Sequence, residues 1–158
     1  MDVSIINSFL HATVKVIKTM AFTEVTPGKA YVRKEPVVNG DISGIIGITG
    51  EAQGSMSLTF SEICICHIVS NMFGEPIEGI NPEVEDAVGE LTNMICGDAR
   101  REMAEKGKTL TGAIPTVITA KDQMIKHMAD GPILAIPFST SKGNFVVEVC
   151  LSKAEDAV

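Results

Sequence analysis

Apolar residues recur at helical spacing near the start of the chain. Val3, Ile6, Leu10, Val14, Ile17 and Met20 fall on one face, with Lys15 and Lys18 toward the C-terminal end. This predicts an amphipathic helix over 2–20, capped by Asp2. Residues 24–34 alternate loosely, as a strand does, and Asn39-Gly40-Asp41 marks a turn. Residues 42–49 and 54–60 then read as two strands joined through Gly50-Glu51, a hairpin whose glycines suit close packing beneath helices. Ser61 opens a short helix over 62–73, closed by Gly74 with Pro76 following.

The next start signal is the clearest in the chain. Asn81 caps, Pro82 takes the first helical position, and Glu83, Glu85 and Asp86 complement the dipole. The pattern runs to Lys106 and stops at Gly107, a helix of about 25 residues and ~37 Å. Beyond it, 114–119 reads as a strand, and 132–138 with 144–151 as a hairpin around Ser141-Lys142-Gly143. The expected fold is a single α+β domain over 1–152, with a frayed tail over 153–158. Its largely antiparallel sheet has about six strands, with two long helices and one short helix packed on it.

Plotted at about 100° per residue, Val84, Val88, Leu91, Ile95 and Ala99 gather on one side of the long helix and face the core. Asp86, Glu90, Asn93, Gly97 and Ala104 gather on the other, in one continuous outward stripe. Glu90 and Asn93 place a carboxylate and a carboxamide one turn apart. Gly97 and Ala104 leave the helix backbone open to close approach, although glycine within a helix costs ~1 kcal/mol relative to alanine. Gly89 adds a second such cost beside the pair. A helix that gives up stability for a smooth outer face is suited to docking another surface.

Composition narrows the partner. Apolar residues make up 45 % and charged residues 21 %, as in an ordinary globular protein. The net charge of −7 argues against nucleic acid, which needs clustered Lys and Arg, and directs attention to protein partners. Aromatic residues reach only 4 %, too few for stacking platforms. No stretch approaches the ~20 apolar residues that span a bilayer. With no basic region ahead of an apolar run at the N-terminus, a cytoplasmic location with reduced thiols is expected.

The spacing Asp86-x-x-x-Glu90-x-x-Asn93, with Pro115 downstream, resembles the CheC/CheX/FliY family of response-regulator phosphatases, its CheX-like branch most closely. The segments 41–47, 54–60 and 72–75 are similar to the family's glycine-rich hairpin and following helix, and 136–138 and 145–151 to its closing hairpin. The resemblance implies a helix that docks on a phosphorylated CheY-like receiver, whose aspartyl phosphate sits beside a Mg2+ held by that partner. This chain itself binds no cofactor and no metal on this reading. Asn93 would orient the attacking water with an amide that both donates and accepts, and Glu90 would pair with a cationic group of the regulator. Asp86, Gly97 and Pro115 would border the contact. At the matching spacing the first helix offers only Ser4, Ser8 and His11, so one active site per chain is implied, together with a homodimer. The rival reading is a docking or switch module that binds a regulator or flagellar motor component without hydrolysis. An intact Glu90/Asn93 pair argues against it.

Other candidates are weaker. Cys64-x-Cys66-His67 lacks a second ligand pair at zinc spacing, and consecutive helix positions diverge. Cys96 and Cys150 lie in core-like runs. Met94, Met103, Met124 and Met128 read as core fillers. Lys121, Lys126 and His127 read as a solvated loop.

Overall fold

The computed structural model describes residues 3–122, 124–127 and 131–153. The elements follow in the order α1 (Val3–Ala21), β1 (Thr26–Pro27), β2 (Tyr31–Val32), β3 (Ile42–Gly50), β4 (Ala52–Phe60), α2 (Glu62–Phe73), α3 (Pro82–Glu105), β5 (Leu110–Gly112), β6 (Thr116–Thr119), β7 (Leu134–Thr140) and β8 (Gly143–Lys153). Every strand pairing is antiparallel, in the order β1-β7-β8-β4-β3-β5, with β2 also on β7 and β6 also on β3. Eight segments thus occupy six columns of one sheet, and the fold is α+β as the sequence predicts. The expected cap of α1 at Asp2 lies outside the described residues, as does the tail expected over 153–158 from residue 154 on, while Lys153 is the last residue of β8.

Strand parity builds the core. Ile42, Ile46 and Ile48 of β3, Met56, Leu58 and Phe60 of β4, and Phe145, Val147 and Val149 of β8 are buried on the face that carries the helices. Phe145 stacks on both Phe60 and Phe138, with ring centroids 4.9 and 5.0 Å apart. The alternate positions of these strands, Ser43, Ser55, Ser57, Thr59 and Glu148, are polar and also buried. Arg33 and Ile125, from the segments before β3 and after β6, meet over that second face, where Arg33 Nη2 donates to the Ile125 carbonyl at 3.1 Å.

The helix starts predicted at Ser61 and Asn81 are in place. Ser61 Oγ accepts from the Cys64 amide at 3.2 Å, and Asn81 Oδ1 from the Val84 amide at 2.9 Å, each satisfying an orphan donor of the first turn. Gly74 ends α2 at φ 69°, where its missing Cβ removes the penalty.

Three expectations are corrected. The strand expected over 24–34 pairs only at 26–27 and 31–32: the Gly28 amide still donates to the Pro137 carbonyl at 2.7 Å, but Pro137 has no N–H to return the bond, and the ladder breaks there. The strand expected over 114–119 begins at Thr116, and a separate short strand, β5, precedes it. Met124 is 75 % exposed rather than a core filler, whereas Met103 is buried as expected. Met128 lies outside the described residues.

Candidate functional site

Helix α3 lies directly on β3, and a glycine sets how close. A Cβ at Gly44 would come within 2.0 Å of Thr92 Oγ1 and 3.2 Å of Val88 Cγ1. The Thr92 hydroxyl is turned back onto its own helix, donating to the Val88 carbonyl at 2.7 Å, so a buried hydroxyl sits against the sheet without an unpaired proton. Val84, Val88, Leu91, Ile95, Cys96 and Ala99 are buried beneath it. On one flank α1 packs in the opposite direction, His11 facing Glu102 at 3.2 Å and Lys15 facing Asp98 at 3.5 Å.

This packing leaves the expected stripe outermost. Asp86, Glu90, Asn93 and Ala104 are exposed and Gly97 is half-buried. Among the described residues, no side chain hydrogen-bonds or ion-pairs with Glu90 or Asn93, so neither group is committed to them. A Cβ at Gly97 would meet only Arg100 Nη2, at 3.8 Å. The backbone there is open to an approaching surface.

The second flank of α3 is the sheet edge. Strand β6 runs opposite to the helix: Thr119 Oγ1 donates to Glu85 Oε2 at 2.8 Å, and Val117 Cγ2 lies 3.5 Å from where a Gly89 Cβ would be. Two strand residues advance about 6.6 Å and four helix residues about 6 Å. The same step from Val117 and Gly89 therefore brings Pro115 level with Asn93. Further along, Gly112 lies beneath the Arg100 guanidinium, where a Cβ would fall 3.1–3.3 Å from Nε, Cζ and Nη2. Ile45 pairs with Thr116 and Ile48 with Gly112, so two residues of β3 face the three residues 113–115. That is a bulge, held by the Ala113 amide on the Gly47 carbonyl at 2.9 Å, and Pro115, with no N–H to give, ends the β6 ladder there.

The structure thus assembles Asp86, Glu90, Asn93 and Gly97 on one face, with Pro115 beside it. Arg100, Ile114 and the Thr119–Glu85 contact escape a reading of the sequence. Arg100 carried a signal, since it follows Asn93 by seven residues on nearly the same side of the helix. Ile114 carried none, being placed by the bulge.

The spacing in α1 that matches Glu90 and Asn93 builds no such surface, because Ser8 is fully buried and donates to the Ser4 carbonyl at 3.1 Å. The cysteines are free and buried. Burial pushes the Cys64 thiol up to about 11, against a hydrogen bond from Thr140 that pulls it down. It also raises Cys66, with Glu62 adding to the effect, and Cys96, against the neighbouring Arg100. Thiols so protonated are poor nucleophiles. His67 turns instead to Ser141, 3.4 Å away.

His127 corrects an expectation: it is no solvated loop residue. It is buried, its Nδ1 2.7 Å from Ser55 Oγ and its Nε2 3.0 Å from Glu148 Oε1, while Lys121 and Lys126 remain exposed. No helix among the described residues is long and apolar enough to cross a membrane.

Comparison with known proteins places the family and the fold. The family described as chemotaxis phosphatase CheX matches residues 42–139. The CheY-P phosphatase CheX of Thermotoga maritima is 29 % identical over 140 residues, covering 88 % of this chain and 89 % of that protein. The crystal structure of a chemotaxis protein CheX from Desulfovibrio desulfuricans is 44 % identical, with a TM-score of 0.89 over 95 % of this chain and all (100 %) of that one. A CheX-CheY-BeF3-Mg2+ complex from Borrelia burgdorferi shares the fold at 21 % identity, with a TM-score of 0.79 over 94 % of this chain and 97 % of that one. With its family match spanning more than half of the sequence, the chain belongs to the chemotaxis phosphatase CheX family.

Proposed function

We propose that this protein hydrolyses the aspartyl phosphate of a CheY-like response regulator, using α3 as the docking helix and Asn93 as the group that orders the attacking water. The observation that carries the reading is the pair of exposed polar side chains, Glu90 and Asn93, uncommitted among the described residues, on a helix braced from behind by β3 and on both flanks. The Thermotoga maritima relative acts on CheY-P, and the Borrelia burgdorferi relative forms a complex with CheY.

Hydrolysis needs little from the phosphatase beyond position. The oxygen of water bonds to phosphorus as the bond from phosphorus to the aspartyl oxygen breaks, which returns a free carboxylate and releases inorganic phosphate. A carboxamide suits the water better than a carboxylate would. It accepts a hydrogen bond from the water and donates one to a phosphoryl oxygen, without adding negative charge beside the phosphate. Orientation of this kind is the main lever in phosphoryl transfer. Glu90, one turn away, is the docking contact for a cation on the regulator, with Asp86, Gly97 and Pro115 around it. Mg2+ belongs to the partner. A homodimer in the cytoplasm, ending a chemotaxis or other two-component signal, completes this reading.

The test is phosphate release from a phosphorylated receiver with Mg2+. Wild-type protein should accelerate release, Asn93→Ala should lose nearly all of that acceleration while staying folded, and Glu90→Lys should weaken binding. Unchanged release with Asn93→Ala sinks the mechanism. A wild-type protein that binds the receiver without acceleration is instead a docking module.

A further inference from the structure

We infer that Ile114, at the tip of the β5–β6 bulge, is the apolar anchor by which this protein recognises the receiver domain, a second contact beside the α3 stripe that sets affinity rather than chemistry. The inference rests on the functional reading above and names a specificity residue for it.

Ile114 is 88 % exposed, the most exposed large apolar side chain among the described residues. A lone apolar side chain on a surface needs no explanation by itself. Its placement is what matters. The antiparallel travel of β6 along α3 puts the bulge level with Asn93, and on the helix wheel Asn93 lies on the β6 side of the stripe, near Gly89 and Arg100. A partner that takes up the Asn93 amide must enclose it in a concavity, and the wall of that concavity on the β6 side passes over residues 113–115. Isoleucine has nothing to offer a phosphate or a metal ion. The wall it meets must therefore be apolar, a patch on the receiver next to its phosphorylation pocket.

The bulge also holds Ile114 ready. Pro115 fixes the following backbone, and the Ala113 amide is tied to Gly47. An apolar group presented by a constrained backbone loses little freedom on binding, which favours affinity. The two halves of the surface then differ in kind. Glu90 acts through charge and is screened by salt, whereas Ile114 acts through burial and is not.

The experiment measures binding of a CheY-like receiver loaded with beryllofluoride and Mg2+, and steady-state phosphate release from the phosphorylated receiver, at low salt and at high salt. Ile114→Asp should raise Kd and KM at least about tenfold with kcat within about twofold, and the increase should persist in high salt. Ile114→Val should match the wild type. Tyr31→Ser, an exposed change in β2 at the far edge of the sheet, should also match it. If wild type binds and accelerates but Ile114→Asp leaves Kd and KM unchanged, or lowers only kcat, the anchor is overturned and the phosphatase reading stands. If wild type neither binds nor accelerates, the functional reading falls and takes the anchor with it.

Discussion

His127 Nε2 lies 3.0 Å from Glu148 Oε1, and the other carboxylate oxygen lies 2.6 Å from Arg33 Nε, so one buried glutamate in β8 ties together two loops that cover the second face of the sheet. An ionised carboxylate only accepts, so Nε2 carries the imidazole proton toward Glu148. The Arg33 approach is an ion pair whose angle falls short of a hydrogen bond. Arg33 Nη2 continues to the Ile125 carbonyl, and His127 Nδ1 to Ser55. All the side chains involved are almost fully buried.

Removing Glu148 would leave the buried Nε side of the Arg33 guanidinium without its counter-charge. Breaking such a buried pair costs about 3–5 kcal/mol, whereas replacing all its members with apolar groups of similar volume can be neutral. Glu148→Ala is therefore expected to lower the unfolding free energy by about that amount in urea titration. Arg33→Met with Glu148→Leu and His127→Leu should recover most of it. Because the cluster lies across the sheet from α3, the triple variant should keep its phosphatase activity.

The contact between Gly44 and Thr92 yields a second prediction. A methyl at position 44 meets Thr92 Oγ1 at 2.0 Å, and both sides of the contact are rigid, one a central strand and the other a helix middle. Overpacking of this kind costs about 1–3 kcal/mol. Gly44→Ala should lower Tm, and by lifting α3 it should reduce phosphate release as well. Adding Thr92→Ala removes the clashing oxygen, so the double variant should be more stable than the sum of the single effects. A double-mutant cycle by thermal denaturation measures that coupling. Strict additivity would mean that α3 does not rest on Gly44.

What the sequence showed of this protein was whatever repeats locally. The cap at Asn81, Pro82 and the 3.6-residue rhythm through Ala99 place α3 and its outward stripe without knowledge of anything else in the chain. The hairpin of β3 and β4 follows from alternation in the same way. Strand β5 was not legible, since three residues with one buried side chain carry no period, and their pairing partner lies some sixty residues away. The proximity of Pro115 to Asn93 depends on β6 running back along α3, a tertiary fact. His127 looked solvated because its partners, Ser55 and Glu148, come from two other strands. Glu148 did leave a trace, as a lone charge inside the apolar run 145–151.

The last prediction separates stability from function at Gly97. Glycine in the middle of a helix is worse than alanine by about 0.8–1.0 kcal/mol, and here no neighbour demands it, since a Cβ would meet only the flexible end of Arg100 at 3.8 Å. Gly97→Ala should thus raise Tm by roughly 3 °C. Gly97→Leu should also fold, because its side chain points outward along the same stripe as Glu90 and Asn93. The two variants should diverge in the assay. A methyl adds little height to the helix, so Gly97→Ala should lose only a small part of receiver affinity, while Gly97→Leu holds the partner off the backbone and should raise KM several-fold. Equal KM values for wild type, Gly97→Ala and Gly97→Leu would show that the partner does not approach α3 at this turn. A KM that climbs with side-chain size, while stability rises or holds, is the result expected if the glycine serves the partner rather than the fold.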